Sequence, residues 1–168
     1  VLILSIPLAG ILIATYLMLQ HFHNKSINEN EKEIDIQKTK TFFPLKIQDY
    51  ERVILFLERI DPNNMSIRTH KNGMNALTLH RELLKIVRDE YTHNMSQQVY
   101  IDPKSWKIVL NAKDETIQIL NVALNNMSTE SSGLDLSAKI FESIASKKIS
   151  PTENARNSIV KEFQTTIK

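Results

Sequence analysis

The sequence predicts an all-α protein: an N-terminal transmembrane helix, a polar linker and an antiparallel bundle of about five helices. Three observations lead there. Residues 1–19 carry no charge. From residue 47 onward, apolar side chains return at i, i+3, i+4 and i+7, the spacing that gathers them on one helical face. With only 3 Gly and 5 Pro in 168 residues and no apolar–polar alternation, the turns and strands of an all-β chain are missing. Composition also excludes several functions. The chain has no Cys, which removes disulfides, thiolate metal sites and cysteine catalysis. Its net charge of +2 is far from the basic footprint of a nucleic-acid binder, so no nucleic-acid partner is expected.

The first element, residues 1–20, is the anchor. As a helix, VLILSIPLAGILIATYLML is roughly 28 Å long, about the thickness of a bilayer's hydrocarbon core. Pro7 falls in the first two turns, where a missing N–H matters least. Tyr16 and Phe22 flank the exit, as interfacial aromatics do. Two other readings fit less well. A cleaved signal peptide has a basic leader and a small-x-small cleavage site, and Leu19-Gln20-His21 is a poor one. A buried core helix is apolar on one face, whereas this segment is apolar on all. Lys25, Lys32, Lys38 and Lys40 follow the span and none precedes it, so the positive-inside rule places the following domain in the cytoplasm.

Residues 21–42 are rich in Asn, Lys and Glu and read as a tether, with a frayed helix through 28–38. His21 and His23 sit two apart, do not share a helical face, and read as solvated. Residues 43–168 form the bundle domain. Its first helix, 47–60, carries Ile47, Tyr50, Val53, Ile54, Leu57 and Ile60 on one side and stops at Asp61-Pro62. A loop follows through Asn72-Gly73. The second helix, 76–100, buries Leu79, Leu83, Ile86 and Val87. Asp102-Pro103 opens the third, 103–126, with Trp106, Val109, Leu110, Ile117, Leu120 and Leu124 inward. The fourth, 134–147, turns Ala138, Phe141, Ile144 and Ala145 inward. Ser150-Pro151-Thr152-Glu153 reads as a capping box opening a fifth helix through Ala155, Ile159, Phe163 and Ile167.

The candidate site lies where these stripes turn polar. Continuing from Leu83 and Val87 leads to Glu90, Asn94, Gln97 or Gln98, and Ile101, while the third helix passes through Lys113 after Trp106. A charge within an apolar stripe is costly unless paired. Counted outward from the turn at Asp102-Pro103, Glu90 and Lys113 fall at one level, and Asn94 and Gln98 approach Trp106. The first reading is a polar layer in which Glu90 pairs with Lys113 and the amides fix register. A solvated face is the second. A binding pocket formed by Glu90, His93, Asn94, Gln97, Gln98, Trp106 and Lys113 is the third.

Glu90-Tyr91-Thr92-His93 matches the Glu-x-x-His of carboxylate-bridged di-iron bundles, but no second copy exists for Glu51 and Glu58 to complete. No metal, cofactor or catalytic residue is assigned. Phosphate loops, zinc-protease motifs and serine-nucleophile motifs are also absent from the sequence.

The segments Asp49-Tyr50-Glu51-Arg52-Val53-Ile54-Leu55-Phe56-Leu57-Glu58-Arg59-Ile60-Asp61-Pro62 and Asp89-Glu90-Tyr91-Thr92-His93-Asn94-Met95-Ser96-Gln97-Gln98-Val99-Tyr100 resemble an uncharacterised family of Bacteroidota proteins. The likeness extends through Trp106, Lys113-Asp114-Glu115 and Asn121 to the segment 151–163. It implies one N-terminal membrane helix and a helical cytoplasmic domain, and it carries over no activity. The expected function is therefore a non-enzymatic interaction or scaffold module at the cytoplasmic membrane face, with the bilayer and an unidentified protein as partners. The alternative is a ligand- or metal-binding enzyme or sensor using Glu90, His93, Asn94, Gln98 and Lys113.

Overall fold

A single uninterrupted helix begins the chain. The computed structural model describes residues 2–125, 127–128, 130–147 and 149–166, without the side chains of 2–13, 24, 26–31, 35 and 166. Helix α1 runs Leu2–Arg59. The stretch 21–42, expected as a tether, is helical throughout. The physical reason is that no helix breaker stands between Gly10 and Pro44, so a helix propagates through polar residues that have no reason to stop it. Most of the expected anchor lies outside the described side chains. Among the described residues no helix is long and apolar enough to cross a membrane.

The chain divides into two units, Val1–Leu45 and Lys46–Lys168. In the first, the described large apolar side chains are exposed, among them Tyr16, Leu17, Met18, Leu19 and Phe22.

The regular structure of the second unit among its described residues is helical, joined by turns and loops that carry one isolated β-bridge. Besides the end of α1 it contains α2 (Pro62–Thr69), α3 (Ala76–Asn94), a 3₁₀ turn (Met95–Val99), α4 (Pro103–Asn125), α5 (Gly133–Ala145) and α6 (Pro151–Thr166). The 3₁₀ turn falls within the second helix expected from the sequence, 76–100, and α2 falls where a loop is expected.

Helix α2 exists because Asp61 caps it. The Asp61 Oδ1 accepts from Asn63 N and Asn64 N, both at 3.1 Å, with Pro62 at the first helical position and Met65 driven into the core. At the other side of the junction, the Arg68 guanidinium donates to the Arg59 carbonyl, satisfying an orphan of the α1 terminus.

Pair contacts fix the helix directions. His80 meets Asn121 and Lys113 lies over Tyr91, so α3 and α4 are antiparallel, as expected from the short turn between them. Tyr50 packs on Phe163 and Glu58 binds Arg156, so the end of α1 is antiparallel to α6. One core joins all these elements, with Val53, Phe56, Leu57, Ile60, Leu79, Leu83, Leu120, Leu136, Ile140 and Ile159 almost wholly buried.

The starts of α3 and α5 are stitched together. Asn75 and Ser132 form the β-bridge, Gly133 N donates to the Met74 carbonyl at 2.7 Å, and Ala76 N donates to the Ser131 carbonyl at 3.0 Å. A Cβ on Gly133 would sit 2.9 Å from the Met74 carbonyl oxygen, so only glycine permits this approach. The capping box predicted for α6 is found instead on α5, between Ser132 and Asp135. Helix α6 still begins at Pro151, but Ser150 turns its hydroxyl toward Asp61 and Thr152.

Candidate functional site

The polar residues singled out from the sequence do not form one cluster. Glu90 and Lys113 do stand at nearly the same level, but they do not pair. Tyr91 occupies that position, with the Lys113 ammonium 4.6 Å from its ring centroid and 2.9 Å from the Asp114 carboxylate. The difference is one of helical phase. Helix α4 turns Ser105, Trp106, Val109, Ala112, Thr116, Ile119, Leu120 and Ala123 inward, which leaves Lys113 at the edge of the stripe. Glu90 faces the end of α1, where its oxygens lie 3.4 and 3.3 Å from Arg59 Nη1.

Each remaining residue has a separate fate. His93 is exposed, with Nδ1 2.7 Å from the Asp89 carbonyl one turn earlier, and Asn94 Nδ2 donates to the Glu90 carbonyl at 2.8 Å. These local bonds compete with the helical ladder and accompany the change to 3₁₀ geometry at Met95. Gln97 is buried, and its Oε1 has no partner among the described residues. Gln98 is exposed, whereas Trp106 is a core residue. Glu90, His93 and Asn94 do line one groove of about 380 Å³ between α1 and α3, together with Arg52, Leu55, Phe56 and Arg59. Gln97, Gln98, Trp106 and Lys113 are not in its wall. Within the groove Glu90 engages Arg59, and Arg52 stands two turns earlier on the same helix.

A second polar site was not anticipated. Where the end of α1, α2 and the start of α6 converge, a cleft of about 420 Å³ is lined by Glu58, Asp61, Asn63, Ser150, Thr152 and Arg156, among others. Asp61 organises it. While its Oδ1 caps α2, its Oδ2 accepts from Thr152 Oγ1 at 2.8 Å and from Ser150 Oγ at 3.3 Å. Arg156 closes one side by binding Glu58 at 2.5 Å. Asn63 Oδ1 is buried there without a partner among the described residues. The sequence does hold a signal: Asp61-Pro62 and Ser150-Pro151 are both cap-plus-proline pairs, each a local boundary that in the fold is one half of a contact.

His80 and Asn121, 2.9 Å apart, form a further polar contact between α3 and α4, in which His80 is buried and Asn121 exposed. On the surface, the Ser132 hydroxyl and then its backbone N–H hold the Asp135 carboxyl below the usual carboxylate range.

What these features define is an all-α protein with a long N-terminal helix and a helical body bearing polar surface grooves. The chain belongs to a family of unknown function (DUF7935), whose model matches residues 1–166. No curated protein and no solved structure matches it.

Proposed function

We propose that the protein is a membrane-tethered interaction module: the start of α1 lies in the bilayer, and the helical body is presented to a protein partner on the cytoplasmic side. The observation that carries this reading is the apolar surface of α1. Tyr16, Leu17, Met18, Leu19 and Phe22 are all more than half exposed, and they continue an uncharged run that begins at Val1. Successive residues on a helix face all directions, so this surface is apolar all round, which suits lipid better than a one-sided protein contact. The lysines after the run support a cytoplasmic body. A tether also raises the effective concentration of the body toward any partner in the same membrane.

Orientation is tested with protease on sealed vesicles. In inside-out vesicles the body is digested and a small apolar fragment is protected. Digestion of the body only in right-side-out vesicles would overturn the cytoplasmic placement.

The groove between α1 and α3 supports a second reading, a ligand sensor, on the observation that Glu90, His93 and Asn94 share one wall with Arg52 and Arg59. This reading predicts saturable binding of a small dicarboxylate that is lost in Arg52→Ala. Calorimetry showing no heat with the folded protein would remove it.

A further inference from the structure

We draw no further inference here: the strongest candidate, the outward face of α5 on which Leu134, Ala138, Phe141 and Ala145 are exposed, is an unpartnered apolar surface, and nothing in the structure shows what covers it.

Discussion

Replacing Asp61 by Ala removes the one carboxylate that joins the end of α1, the start of α2 and the start of α6. The loss has two parts. The two backbone donors at 3.1 Å lose their cap, which costs about 1 kcal/mol. Thr152, 3% exposed, loses a 2.8 Å bond to a charged acceptor, a contact contributing roughly 1.5–3 kcal/mol. The Ser150 contact at 3.3 Å adds little, and Ser150 remains 2.9 Å from Thr152 as a substitute partner. The expected destabilisation is therefore about 3 kcal/mol. Asp61→Asn keeps an oxygen at the cap and should cost about 1 kcal/mol.

The assay is urea unfolding of the full-length protein in detergent, followed by fluorescence of Trp106, the single and buried tryptophan of the body. The midpoint should fall with an unchanged denaturant slope. Asp61→Ala and Thr152→Val together should lose at least about 1 kcal/mol less than the sum of the separate losses, since both remove the same bond. An Asp61→Ala variant within about 0.5 kcal/mol of the parent, or strict additivity with Thr152→Val, would refute the reasoning.

Thr116 is fully buried with a hydroxyl that has no partner among the described residues, so Thr116→Val should stabilise by about 1 kcal/mol in the same titration. Gly133→Ala places a Cβ 2.9 Å from a backbone carbonyl and should destabilise by roughly 1–3 kcal/mol, with loss of exchange protection at the Gly133 amide. Glu90→Gln should change stability by less than about 1 kcal/mol, because its Arg59 partner is exposed and the contact is long. The Asp135 carboxyl has a lower pKa folded than unfolded, so its stabilisation is present above the unfolded value of about 4 and is lost as pH falls through the folded value. Ser132→Ala should therefore flatten the acid limb of a stability–pH curve while leaving its response above pH ~6 unchanged.

The starts of α3 and α4 were legible because their signals are local: an Asp-Pro pair opens α4, and a run of periodic leucines follows Ala76. The phase of α4 was less legible. Its buried face uses Ala112, Thr116 and Ala123, small residues with little hydropathy signal, while Leu110, Ile117 and Leu124 sit at the boundary. A wheel drawn through the large residues is thus rotated by about one position, which moved Lys113 into the stripe and suggested a partner for Glu90. In α5 the cause is different: the expected stripe runs through Ala138, Phe141 and Ala145, which are exposed, and passes beside Leu136 and Ile140, large residues that are the buried ones. Helix α2 was hidden because Pro62-Asn63-Asn64 has turn composition and its stability comes from a cap and from packing of Met65. The Asp61 cleft was hidden for a different reason. Its members are about ninety residues apart in the chain, a separation at which periodicity carries no information.

Alkaline carbonate extraction of native membranes tests the tether most directly, since it strips proteins held by charge or by contact with other proteins and leaves those held by lipid. The account predicts that the full-length protein remains with the membrane pellet. Its complete release into the supernatant would contradict the placement of the start of α1 in the bilayer.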